Sequence, residues 1–361
     1  MIVLTDQPQN PPYNAFNNSV LKYGSDAGTP VISNVTISGN RFDLFPDATG
    51  EFYFNLKRIA QVLINPDHFT DAKLPATILN DASLYLDLEA VIDVQLSDGT
   101  LETTTLNFPF LKSVKQLIRT KYANSELKLL IPGATDTASV TYFEGFPFDV
   151  SLYSDAGRTL TVTNKRTGGN TSLLLTKGVN RIFISDGADG SGLESVLPMH
   201  LGVNELECTS GALMFTLFLK KKAADCGHLL KYFNQDGGWS YWLFGNLHVD
   251  NLKTATREVI NTDYENNYNN TGNFKITGKD AETSKSFLSG PLDATEKMQV
   301  LELFTSPSVY LFTNELSEGF NAIDNFITVD TPSGNYKTGN KYAFEELAAQ
   351  IEMPKQYTQT L

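Results

Sequence analysis

SLYLDLEAVIDVQLSDGTLETTTLNFPF, residues 83–110, decides the fold class. Leu84, Leu86 and Leu88 alternate with Tyr85, Asp87 and Glu89. That is the two-residue period of a half-buried strand, not the 3.6-residue period of a helix. Ser97-Asp98-Gly99-Thr100 reverses the chain, and Leu101, Thr103 and Thr105 resume the alternation. Asp-Gly favours a tight turn because Gly accepts a left-handed backbone. The stretch therefore predicts a β-hairpin with one apolar face, and such a face needs a second sheet to cover it.

The same signals continue on both sides. Upstream, VISNVTISGNRFDLF (31–45) turns at Ser38-Gly39-Asn40, and GEFYFNLKRIAQVLI (50–64) passes from alternating aromatics into a short helix ending at Asn65-Pro66. Phe54, Ile59, Val62 and Leu63 are expected on one side of it. Residues 1–30, rich in Asn, Pro and Gly, read as an extended arm or edge-hugging lead-in, since each Pro removes a ladder donor. Ordered β structure is expected to begin near Val31. Downstream, a short helix is expected over Leu111–Tyr122. Strands then follow within 139–154, 158–165, 171–187, 201–210 and 211–222, separated by Gly, Asn, Ser and Asp.

GHLLKYFNQDGGWSYWLFGNLHVDNL (227–252) is the most distinctive segment. After the Asp236-Gly237-Gly238 break, Trp239, Tyr241 and Leu243 face one way and Trp242 and Phe244 the other, so the strand expects cover on two sides. A second domain or a partner is expected to supply part of it. Residues 261–273, NTDYENNYNNTGN, lack aliphatics and read as a loop or hinge. A helix is expected to begin near Pro291 with Met298, Leu301 and Phe304 on one side, followed by further strands. The prediction is a mainly β chain: tandem β-sandwich-like domains with short helices at 1–135 and 136–262, then a smaller C-terminal α+β or β-rich domain at 263–361.

Composition narrows the function. The chain has 361 residues and a formal net charge of -13, and its longest cationic run is Lys220-Lys221-Lys222. Nucleic-acid binding needs several cations to release phosphate counterions. No nucleic-acid partner is expected, and the triplet reads as a solvated loop or strand end. The start, MIVLTDQPQNPPYN, has no basic leader, so no signal peptide is expected and synthesis is placed in the cytoplasm. The apolar stretches are too short or interrupted to cross a bilayer as helices, and no membrane insertion is expected. The N-x-[ST] pattern at Asn17, Asn34 and Asn170 is set aside for want of a secretory leader. Cys208 and Cys226 read as free, buried thiols ahead of a single bridge or metal ligation.

Catalytic and cofactor motifs are weak. His68, His200, His228 and His248 form no metal-ligand spacing, and Cys226-Gly227-His228 alone is too few ligands for zinc. DGADGSG (186–192) offers two carboxylates to calcium and reads better as a turn. The Gly-Gly pairs at 168–169 and 237–238 lack a phosphate-binding pattern, and no G-x-S-x-G occurs. No enzyme activity, metal or cofactor is expected. A glycoside hydrolase would need a cleft with a close carboxylate pair.

LLKYFNQDGGWSYWLF (229–244) resembles a recurring segment of tail-associated structural proteins from phages and prophages of Bacteroidetes bacteria. The pattern is met by Leu230, Lys231, Tyr232, Phe233, Asn234, Gly237, Gly238, Trp239, Tyr241, Trp242 and Phe244. FDLFPDATGEFYFNL (42–56) and the ending around Tyr342–Ile351 and Glu352-Met353-Pro354 are similar as well. The resemblance carries no catalytic residues. It implies a virion component at a tail tip, baseplate or connector, working by subunit association. The expected partners are a ring-like homo-oligomer and other virion structural proteins. Aromatic anchors dominate such interfaces, which makes Tyr13, Phe16, Trp239, Tyr241, Trp242, Tyr264, Tyr268 and Tyr357 the interface candidates. The alternative is a carbohydrate- or host-surface-binding protein built on similar sandwiches, with a host surface glycan as ligand.

Overall fold

A computed structural model describes residues 1–8, 10–65, 77–114, 126–186, 192–224, 226–245, 248–261, 274–313, 326–331, 346–355 and 358. The chain is mainly β, in six sheets. The N-terminal sheets contain β1 (Ile2–Asp6), β2 (Tyr13–Asn14), β3 (Val20–Ser25), β4 (Pro30–Ile37), β5 (Asn40–Leu44) and β6 (Phe52–Asn55). Helix α1 (Lys57–Ile64) follows, and β8 (Tyr85–Leu96) and β9 (Leu101–Leu111) form the expected hairpin, turning at Gly99 with φ +87°. Sheet β1-β3-β6 and sheet β2-β9-β8-β4-β5 share one core, in which Leu88, Ala90, Ile92, Val94 and Leu96 alternate inward along β8.

The lead-in departs from expectation. Residues 2–25 are not an arm: β3 is the central strand of its sheet, and order begins at Ile2 rather than Val31. The prolines at 8, 11 and 12 fall between β1 and β2, where no ladder donor is needed. On α1, Ala60 and Ile64 are buried while Val62 is exposed, so the buried face is rotated from the one expected.

The second sandwich joins two sheets. One holds β7 (Ile78–Asn80), β10 (Leu127–Leu129), β12 (Pro147–Ser154) and β15 (Gly178–Asp186), in the order β10-β12-β15-β7. The other holds β11 (Thr137–Phe143), β13 (Arg158–Asn164), β14 (Asn170–Leu175), β16 (Gly202–Ser210) and β17 (Leu213–Lys222), with β11 parallel to β17 at the edge. The short helix α2 (Leu193–Val196) precedes β16. Every residue of β12 is buried, because both faces are covered. Cys208 is buried as expected, and burial pushes its thiol up to about 12; Cys226, by contrast, is exposed.

The remaining elements extend this same core. Sheet β19-β18-β22-β23 is built from β18 (His228–Phe233), β19 (Trp239–Phe244), β22 (Val309–Phe312) and β23 (Phe326–Val329). Sheet β20-β21-β24 is built from β20 (His248–Asn261), β21 (Phe274–Leu288) and β24 (Ala348–Glu352). Helix α3 (Ala294–Leu301) starts at Asp293 with a reciprocal capping box to Glu296. Glu296, Gln299 and Val300 are its buried residues, while Met298, expected inward, is exposed. Point 262/263 falls between the paired strands β20 and β21. No described helix is long and apolar enough to cross a membrane. The helix expected over 111–122 and the DGADGSG turn lie largely outside the described residues.

Candidate interaction surface

The motif at 229–244 builds a buried joint rather than a surface. Asn234 staples its turn: its Nδ2 donates to Leu130 O at 3.1 Å and to Ser240 Oγ at 3.1 Å, while Oδ1 accepts from Gly238 N at 3.0 Å. Gly238 has to be glycine, because a Cβ there would sit 2.3 Å from Leu130 O. Asp149 accepts from Arg181 Nε and Nη2 at 2.9 and 2.7 Å, and also from the Tyr241 hydroxyl. Burial would lower the Arg181 pKa, but the Asp149 carboxylate outweighs it and raises it. Burial first, then Asp149, pushes the Tyr241 phenol well up. Lys231 Nζ lies 4.1 Å from the centroid of the Trp239 ring, and burial drives its pKa well down. The interface candidates Trp239, Tyr241 and Trp242 are 4%, 3% and 1% exposed. Of the two expected sources of cover for this strand, a second domain or a partner, the chain's own second sandwich and α3 supply it in the single chain.

The other candidates divide. Tyr13 and Phe16 are half-buried on their own core, with the Tyr13 ring 5.6 Å from that of Phe110, so neither is presented by a free arm. Tyr264, Tyr268 and Tyr357 lie outside the described residues. The lysine triplet ends β17, but it is not simply solvated. Lys220 and Lys222 reach Glu296 Oε1 at 2.9 and 2.8 Å, and Lys221 reaches Glu144 at 3.0 Å on the opposite face. Burial alone would raise the Glu296 carboxyl, but Lys222 and Lys220 hold it down to about 2.

What projects is the hairpin β20–β21. The strands pair antiparallel from His248↔Phe287 to Asn261↔Phe274, roughly 40 Å of ribbon at about 3.3 Å per residue. β24 pairs only with Ser284–Leu288, so beyond that point the sheet has two strands among the described residues. Residues 248–260 are all exposed. Five large apolar side chains on the hairpin are half or more exposed: Val249 at 59%, Leu252 at 64%, Val259 at 54%, Ile260 at 50% and Phe274 at 59%. Strand alternation places Val249 and Leu252 on opposite faces, and groups Val259 with Ile276 and Phe274 on one face near the tip. Charge pairs brace the ribbon: Arg257 to Asp280 at 2.7 Å and Lys285 to Asp250 at 2.9 Å.

The root of this hairpin is anchored. Phe287 is 2% exposed, its ring 4.7 Å from that of His228. His228 Nε2 and His248 Nδ1 are 3.1 Å apart. Burial, then His248 and Lys285, lower the His228 pKa against the opposing pull of Asp250. Trp242 Nε1 donates to Ser289 O at 3.1 Å, and Gly245 N to Leu288 O at 3.0 Å. A rigid root and an exposed ribbon make an element suited to contact. Sequence reasoning missed Val249, Leu252, Val259 and Phe274. The available signal was two strand patterns of matched length flanking the Asn/Tyr tract.

Other features offer less. The sandwich cavities of about 20 Å³, beside Val162 and Cys208, and about 10 Å³, beside Asp149 and Gln299, hold a water at most. Among the described residues no group of three His, Cys, Asp or Glu is placed to hold a metal.

No family model matches the chain, and no curated protein matches it either. Among solved structures it is similar to a chimeric titin Z1Z2 tandem, at 12% identity and TM-score 0.18, covering 62% of this chain and 100% of that one. A calcium-stabilised adhesin by which an Antarctic bacterium binds ice gives 12% and 0.19 over 82% and 70%. A tetra-tandem repeat from the extending region of a large adhesion protein gives 12% and 0.23 over 98% and 73%. These scores are too low to assign a shared fold or function, so the β architecture rests on this chain's own sheets.

Proposed function

We propose that the chain is a non-catalytic attachment module, a β scaffold that engages a macromolecular partner through its projecting hairpin. The observation that carries this reading is the ribbon of β20 and β21, whose root is fixed in the core while Val249, Leu252, Val259, Ile260 and Phe274 are exposed along it. An isolated two-stranded hairpin is marginally stable in water, and exposed edges are a liability that proteins normally suppress. Retaining one at this length makes sense if a partner covers it.

Two finer readings follow. In the first, the chain is a virion subunit of a phage tail, the role implied by the resemblance at 229–244. In the second, it attaches to a host or other surface, for which the outward Leu252 and Phe274 supply contact area. The buried positions of Trp239 and Trp242 remove the two indole rings from any sugar-stacking platform. The test is a shortened hairpin in which Asn-Gly replaces residues 253–282, joining the register partners Leu252 and Thr283. Its circular dichroism and melting temperature should match the full chain. Glycan-array binding, adherence to bacterial envelopes, or particle formation seen by electron microscopy should be lost. Equal behaviour of both proteins in all three assays overturns the reading.

A further inference from the structure

We infer that the hairpin is covered by a second copy of this chain, the two ribbons pairing antiparallel along their β20 edges. This rests on the attachment reading above and names its occupant. β20 is the open edge of its sheet, hydrogen-bonded to β21 on one side only among the described residues. The bulge at Arg257 adds one residue to β20, so antiparallel pairing about a twofold axis at Ala255 sets Lys253 of one copy opposite Glu258 of the other on the same face. The same register sets Leu252 opposite Val259, and the symmetry supplies each pair twice. Both apolar residues are more than half exposed in the single chain. Opposite charges and apolar pairs at facing positions are what stabilises a strand pair.

Net charge points the same way. β20 carries Asp250 and Glu258 against Lys253 and Arg257, and β21 carries Asp280 and Glu282 against Lys275, Lys279 and Lys285. The paired strands are thus at +1 in a chain of -13. Two such bodies repel each other, and the ribbon is where they can approach without that repulsion. Two two-stranded ribbons joined at an edge make four strands, past the three needed for independent stability.

The experiment uses the full chain in sedimentation equilibrium or mass photometry. The full chain should self-associate, and the hairpin shortened between Leu252 and Thr283 should be monomeric. Lys253→Glu and Glu258→Lys should each raise the dissociation constant roughly tenfold, the product of two exposed cross-strand pairs. The double variant Lys253→Glu/Glu258→Lys should restore it. A full chain that stays monomeric at tens of micromolar, or single reversals without effect, or no restoration in the double variant, overturns the inference. If self-association fails while the hairpin still governs glycan-array or envelope binding, only this inference falls. If shortening changes no binding of any kind, the attachment reading falls with it.

Discussion

The Asp149 carboxylate is where the core has most to lose. It is fully buried between Arg181 and the Tyr241 hydroxyl, and removing one partner strands the other's charge. Asp149→Ala should cost about 3–5 kcal/mol in urea unfolding. Glu302 gives a pH signature. Burial raises its carboxyl to about 7 despite hydrogen bonds from Gln235. A raised folded pKa means stability present below the unfolded carboxyl range and lost as pH climbs through 7. Unfolding free energy should therefore fall by up to about 3 kcal/mol between pH 5 and 8 from this group, and Glu302→Gln should flatten that slope. Glu296 runs opposite: held near 2, its contribution is lost as pH falls below the ordinary carboxyl range. None of these charges was legible in the sequence. Asp149 and Arg181 sit in alternating strands that read like any solvent-facing position, and only the third dimension brings them together.

Among elements, those closed by a tight turn were readable and those closed otherwise were not. Gly99 and Ser38-Gly39 announced the hairpins β8–β9 and β4–β5, and both formed with the expected bounds to within a few residues. β20 and β21 flank a tract of Asn and Tyr that reads as a loop or hinge rather than a tight-turn pair, so only the strand patterns of matched length on either side signal their pairing. The N-terminal prolines likewise suggested an arm although the strands lie on either side of them. Two element-level outcomes follow. Asp293→Ala removes the cap of α3 and the 3.2 Å contact to Lys220, and should lower stability by about 1–2 kcal/mol in thermal melts. Gly238→Ala presses a methyl group into Leu130 O and should cost roughly 3 kcal/mol by the same measurement.

At the scale of the whole molecule, the two-sided apolar strand at 239–244 reads as needing cover from a second domain or a partner, and the chain's own second sandwich and α3 provide it. Val249, Leu252, Val259, Ile260 and Phe274 of the hairpin strands do face outward, in stretches whose frequent Lys, Asp and Thr disguise them as ordinary surface. The small strand β7 carries a last consequence. It precedes β8 of the N-terminal sandwich, yet Ile78–Asn80 hydrogen-bonds to β15 of the second. Val114 N, just after β9, donates to Gln235 O on the far side of the joint. A tug on one sandwich therefore reaches the next through backbone ladders rather than a loose tether, so the pair should act as a stiff lever, not as beads on a string.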